Sequence, residues 1–193
     1  MVEAQRDAAA VEELVRDAAG GDASAFAALY DLYAPRVRTY LRRQTGETDR
    51  AEDLVQQTFM KMIEALPRYR SMGVPFGAWV FRIARNLVID WRRTSHPTAP
   101  IEIAAEHPAS TDDPLAAAIR ADDRARLLAA MDDLPGDQRA VLEWRFLAGL
   151  TPGETGVLMD RSAEAVRALQ HRALRSLRVR LEPDLGELVG ATA

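Results

Sequence analysis

The chain has 193 residues, 48% of them hydrophobic, with a formal net charge of −4 and no cysteine. That size allows one large domain or two small ones, and that apolar content excludes general disorder. No apolar run approaches the ~20 residues of a membrane helix, the acidic, alanine-rich start lacks the order of a secretory signal, and disulfides and thiolate metal sites are excluded, which suits a reducing cytoplasm.

Helical periodicity dominates and strand signals are nearly absent, so the fold class read from the sequence is all-α. Residues 1–20 read as a frayed or loosely helical leader ending at Gly20–Gly21. A helix starts near Asp22, a good N-cap, with Phe26, Leu29, Tyr30 and Tyr33 toward a core. Pro35 is expected to kink or restart it before Val37, Tyr40 and Leu41. In the next helix Asp49 and Glu52 have capping-box spacing. Ala51, Leu54, Val55, Thr58, Phe59, Met62, Ile63 and Leu66 follow at three-four spacing until Pro67 ends the helix. Its outer face carries Glu52, Asp53, Gln56, Gln57, Met60, Lys61 and Glu64. Such a face is either simply solvated or, through Asp53, Gln56, Gln57 and Met60, suited to a partner's basic helix.

After a loop, Arg68–Pro75, comes the helix Phe76–Arg93. Val80, Ile83, Ala84, Leu87, Val88 and Trp91 form its apolar stripe, and Arg82, Asn86, Asp90 and Arg93 a separate row, with Phe76 and Trp79 as exposed rings just ahead of it. Rings beside cations can stack unpaired bases and track their phosphates. A basic surface helix of a bundle would look the same in this segment alone.

Residues 94–114 hold Pro97, Pro100, Pro108 and Pro114 with four acids and no Lys or Arg. They read as an extended acidic linker. The expected organisation is therefore a leader at 1–20, a helical domain at 21–95, a flexible linker at 96–114, a second helical domain at 115–182 and a tail at 183–193. The second domain opens with a helix from about Leu115 to Met131 and turns at Leu134–Pro135–Gly136. Asp137 then caps a helix carrying Ala140, Val141, Trp144 and Leu147 that stops at Gly149. Thr151-Pro152-Gly153-Glu154 is a capping box with proline at the first helical position. A short helix to Met159, a turn at Asp160–Arg161 and a long helix capped by Ser162 and reaching about Leu181 make a helix-turn-helix arrangement.

Charge is strongly segregated. Residues 1–31 carry seven acids against two arginines, whereas residues 161–180 carry six arginines against Glu164. In the last helix Val166, Leu169, Ala173, Leu174, Leu177 and Leu181 are expected to be buried. In a helix-turn-helix the second helix enters the major groove. That places Glu164, Arg167, Ala168 and His171 at base edges, with Glu164 able to accept from the cytosine amino group, and Arg172, Arg175 and Arg178 at phosphates.

Two blocks then carry a family resemblance. AEDLVQQTFMKMIEALPRYR at Ala51–Arg70, followed by FGAWVFRIARNLVIDWRR, resembles region 2 of bacterial extracytoplasmic-function sigma factors. LPGDQRAVLEWRFLAGLTPGETGVLMDRSAEAVRALQHRALRSLR at Leu134–Arg178 is similar to their region 4. The match spans roughly Asp22 to Leu181, in family order and at family separation. It implies that Asp53, Leu54, Gln56, Gln57 and Met60 bind core RNA polymerase. It implies that Arg68, Tyr69, Arg70, Ser71 and Met72 of the loop, with Phe76, Trp79, Arg82, Arg85, Asn86, Asp90 and Arg93, melt and hold the −10 element, a flipped base sitting in the loop. Ser162, Glu164, Arg167, Ala168, His171, Arg172, Arg175 and Arg178 would read the −35 element as duplex. Implied partners are core polymerase, promoter DNA and an anti-sigma factor. Asp160 stands where the family usually has glycine, and Gly156 where it has a small alanine.

The reading of a different class is a DNA-binding regulator that uses the helix-turn-helix, with the N-terminal bundle as an interaction module. It leaves Trp79, Phe76 and the Gln56–Gln57 patch unexplained. An enzyme reading finds little support, since His96 and His107 lie in the linker and His171 stands alone. No phosphate-binding glycine loop, nucleophile-base set, cofactor motif or metal-ligand cluster can be read.

Overall fold

A computed structural model describes residues 2–70, 73–95 and 114–181. In chain order the helices are α1 (Val2–Ala19), α2 (Ala23–Thr45), α3 (Thr48–Ala65), α4 (Phe76–Ser95), α5 (Pro114–Asp132), α6 (Gly136–Leu142), α7 (Pro152–Met159) and α8 (Ala163–Leu181). A 3-10 turn, Leu66–Arg68, follows α3, and α6 runs into a π-helical stretch, Glu143–Leu147. No strand occurs among the described residues. Ser71, Met72, His96, His107 and nearly all of the expected linker and tail lie outside them.

Helices α2, α3 and α4 assemble around one core because each has an apolar stripe of helical period. Leu29, Val37 and Leu41 of α2 meet Ala51, Val55 and Met62 of α3 and Val80, Phe81 and Ala84 of α4, all fully buried. Each such large side chain contributes about 1.5–3 kcal/mol through removal from water. A second cluster holds Ala130, Met131 and Leu134 with Val141 and Leu142 of α6 and Val166, Leu169, Ala173 and Leu177 of α8. Trp144, Ala148, Leu150 and Leu158, from the C-terminal half, belong to the first core and not the second. The two halves, each a helical bundle, are therefore packed together.

Several local expectations change. The N-terminal helix α1 is docked, with Val15 and Ala18 buried in the first core. Pro35 interrupts nothing, and α2 runs through it for 23 residues. Proline removes the hydrogen bond to the carbonyl four residues earlier and crowds that carbonyl, which here belongs to exposed Asp31. Asp22 caps α2 as expected, accepting from the Ser24 and Ala25 amides at 2.7 and 3.3 Å. Helix α3 begins at Thr48, one residue before the anticipated cap, and no side chain caps it. Glu52 faces α2 instead, where it accepts from Arg38 Nε at 2.7 Å and Arg42 at 3.2 Å. Asp137 lies in the first turn of α6, one residue inside a Gly136 start that follows Pro135, and pairs with Arg161. Tyr30, Ile63, Leu174 and Leu181, all expected inside, are exposed.

Candidate nucleic-acid interface

The helix-turn-helix is built by two caps and one glycine. Thr151 Oγ1 accepts the Glu154 amide at 3.2 Å while the Glu154 carboxylate accepts the Thr151 amide at 2.7 Å, with Pro152 at the first helical position. Asp160 closes α7 in the left-handed region at φ 54°, the conformation that short polar side chains tolerate best after glycine. The Arg161 amide donates to the Gly156 carbonyl at 2.9 Å. A Cβ at Gly156 would collide with the Arg161 carbonyl oxygen, so the tight turn itself requires glycine there. Ser162 then opens α8, its Oγ accepting the Ala165 amide at 3.2 Å.

Helix α8 buries Val166, Leu169, Ala173 and Leu177. Glu164, Arg167, Ala168, His171, Arg172, Arg175 and Arg178 are exposed along its other faces, as is Ser162 at its start. Arg167 pairs with Glu164 one turn back at 3.4 Å. Backbone hydrogen bonding at the Glu164 amide, then Ser162, holds the Glu164 carboxyl below the usual carboxylate range, so it is charged and acceptor-only. The resulting surface is a ridge of arginines headed by one carboxylate.

The second face lies across α3 and α4. Arg82, Arg85, Asn86, Asp90 and Arg93 are exposed on α4. Phe76, expected as an exposed ring, is buried at 5% exposure and packs edge-on to Tyr33 with centroids 5.4 Å apart. Its position four residues before Val80 puts it on the apolar stripe. Trp79 is half-buried, 4.7 Å from Tyr69 and 5.4 Å from Phe76, so three rings form one cluster at the start of α4. Tyr69 donates its hydroxyl to the Val74 carbonyl at 2.9 Å. Arg70 is exposed and turns back on the Tyr69 carbonyl at 3.0 Å. Beside the cluster an open groove of about 500 Å³ is lined by Lys61, Glu64, Ala65, Arg68, Trp79, Ile83 and Asn86. That is the size range of small-ligand clefts. A half-buried indole, an amide and two cations around it offer stacking, base-edge and phosphate contacts together.

On α3, Asp53, Gln56, Gln57 and Met60 are exposed and contiguous. Leu54 is 3% exposed and points into the core, so it cannot touch a partner. Ile63, 52% exposed and one turn past Met60, extends the patch in a direction the sequence reading missed. Also missed were Arg36, Tyr40 and Trp144, which join the two halves. Nothing in the period of either segment predicts that pairing. Among the described residues no group of three or more His, Asp or Glu could hold a metal ion, and no helix is long and apolar enough to cross a membrane.

A helix-turn-helix with an arginine ridge, joined to a bundle carrying a ring-lined cationic groove, defines a two-module nucleic-acid-binding protein. Comparison with known proteins makes this specific. Residues 29–97 match the sigma-70 region 2 family and residues 130–179 match sigma-70 region 4. The chain is 36% identical over 186 residues to the ECF RNA polymerase sigma factor BldN of Streptomyces coelicolor, covering 94% of this chain and 69% of that one. It is 38% identical over 179 residues to ECF sigma factor ShbA of Streptomyces griseus, covering 88% and 94%. The sigma factor RpoE of Bartonella quintana, solved in complex with the anti-sigma factor NepR, superimposes with TM-score 0.62 at 25% identity, covering 82% of this chain and 98% of that one. The chain belongs to the extracytoplasmic-function family of RNA polymerase sigma factors.

Proposed function

We propose that the protein is a dissociable specificity subunit that joins core RNA polymerase in the cytoplasm, reads a −35 element as duplex and opens a −10 element. The observation that carries this reading is the pairing of two different cationic faces, one beside an aromatic groove and one on a recognition helix. Duplex DNA needs only the second. Holding a base out of the stack costs a few kcal/mol, and ring stacking with edge contacts offsets it.

In this reading Trp79, Asn86, Lys61 and Arg68 receive an unstacked base in the α3–α4 groove, while Arg82, Arg85, Asp90 and Arg93 follow the strand. Tyr69 and Phe76 hold the indole in place. Arg70, Ser71 and Met72 complete the −10 set. On α8, Glu164, Arg167, Ala168 and His171 face base edges, and Ser162, Arg172, Arg175 and Arg178 face phosphates. Asp53, Gln56, Gln57, Met60 and Ile63 dock on the polymerase. The protein is not itself an enzyme and needs no cofactor of its own, because bond formation belongs to the polymerase. The Bartonella relative's pairing with an anti-sigma factor supports regulation by a partner of that class.

The test is transcription from a genomic fragment library by purified core polymerase, with and without this protein. New start sites sharing two upstream elements are expected. Identical start sites in both reactions would overturn the proposal. Stable duplex binding by the free chain, with unchanged start sites, would favour a helix-turn-helix regulator.

A further inference from the structure

Helix α1 lies ahead of the region 2 match, which starts at residue 29 inside α2. It is nonetheless folded back onto the bundle. Its end is a Schellman motif: the Gly21 amide donates to the Ala18 carbonyl and the Asp22 amide to the Asp17 carbonyl, each at 3.1 Å, with Gly21 at φ 98°. Side chains rarely adopt that backbone, so glycine lets α1 reverse directly onto α2. Val11, Leu14, Val15, Ala18 and Ala19 recur at three-four spacing and pack on the first core, Val15 and Ala18 being buried. Glu12, Glu13 and Asp17 are left exposed.

The neighbours of α1 are the two ends of the −10 loop. Successive helical hairpins, α1–α2 and α2–α3, bring the end of α3 level with the start of α2, where Tyr30 meets Phe59 with ring centroids 4.6 Å apart. Helix α1 therefore touches the 3-10 turn Leu66–Arg68, where the chain leaves α3, and it also touches α4, where the loop returns. A 3-10 turn has poorer hydrogen-bond geometry than an α-helix. This one is held by the Leu66 amide on the Met62 carbonyl and the Tyr69 amide on the Leu66 carbonyl at 3.0 Å. Leu66 is 2% exposed, in the same core cluster as Val15 and Ala18. The turn and α4 are also opposite walls of the groove, with Arg68 on one side and Trp79 and Asn86 on the other. Such a constellation needs its groups held to within about 0.5 Å by the packing behind them. An acidic outer face cannot itself follow phosphates, so what α1 gives to the strand passes through the residues it holds.

We propose that α1 is a positioning element for −10 capture, fixing the distance between the Arg68 and Trp79 walls of the groove. The inference rests on the sigma-factor reading above. Its test uses the full chain with Val15→Ala, which thins the contact while placing the best helix former in α1. The variant should bind core polymerase and form closed promoter complexes as wild type does. Opening of the −10 element, read by permanganate, should fall about fivefold or more, the lower end of what one lost stacking contact costs. Amide exchange at residues 66–70 should quicken while exchange in α8 stays as it was. A template premelted at the −10 element should restore initiation, because unstacking no longer has to be offset; a variant that had merely lost its fold would not recover. Glu13→Gln, on the outer face, should alter neither opening nor exchange. Normal opening by Val15→Ala, unaltered exchange at 66–70, a defect that premelting leaves in place, or an equal defect in Glu13→Gln would overturn the proposal. Should Val15→Ala lose helicity, Leu14→Ala, at a half-buried position, decides. If wild type and variants alike add no start sites to core polymerase while exchange at 66–70 still quickens, the sigma reading fails and the packing role of α1 stands.

Discussion

Gly156 and Trp79 are positions where a single side chain decides a property. At Gly156 a methyl group meets the backbone carbonyl of Arg161, whose own amide is hydrogen-bonded to the Gly156 carbonyl, so relief requires moving Arg161 and the start of α8. Alanine's better helix propensity, worth up to about 1 kcal/mol, is outweighed. Gly156→Ala should cost about 1–3 kcal/mol and lower the thermal midpoint by several degrees, as followed by circular dichroism. A midpoint equal to or above wild type would mean the turn yields easily. Trp79 packs at a tilt against Tyr69 and Phe76, and it lines the open groove. Trp79→Ala should leave association with core polymerase nearly intact and reduce promoter opening, read by permanganate reactivity of unpaired thymines. A stacking loss of about 1–3 kcal/mol predicts a reduction of roughly five- to 150-fold. Normal opening would remove the ring from the mechanism.

At the scale of one helix, α8 separates reading from holding. Arg167 lies in its second turn beside Glu164, whereas Arg175 lies two turns further on. Arg175→Ala should weaken binding to cognate and altered −35 duplexes alike, with the salt slope reduced by about 0.9 for one lost phosphate contact. Arg167→Ala should relax preference at one base position. Equal behaviour of the two variants in fluorescence anisotropy would mean α8 is rotated from this orientation. The elements most legible in the sequence were those with both period and punctuation: α3 before Pro67, the Thr151–Glu154 box, and α8 behind Ser162. Phe76 was legible too, since it precedes Val80 by one turn, but its neighbour Trp79 suggested an exposed pair. Leu54 sat in the apolar repeat and was assigned to the partner face only through family likeness. Pro35 misled because a missing amide is cheap where the orphaned carbonyl reaches water. The π-helical stretch has no composition signal, and Ile63 fits an apolar stripe broader than the core beneath it.

For the molecule as a whole, the shared core makes the two halves stabilise one another. Trp144 is 5% exposed and touches Tyr40 and Phe81 of the other half. Removing a buried indole costs about 3–5 kcal/mol in typical cores. In wild type, denaturant curves from helicity and from tryptophan emission should coincide, as for one cooperative unit. In Trp144→Ala they should separate into two transitions. Coincident curves in that variant would show that other contacts couple the halves. The docking of the two halves across more than a hundred residues of sequence is not legible in local patterns, because α2 and the α6 stretch each look complete alone. Finally, Lys61 on the groove wall is the chain's sole lysine. An amine-reactive dye would therefore find one side-chain target besides the terminal amine, which turns the groove into a ready-made optical sensor for strand capture without any engineered attachment point.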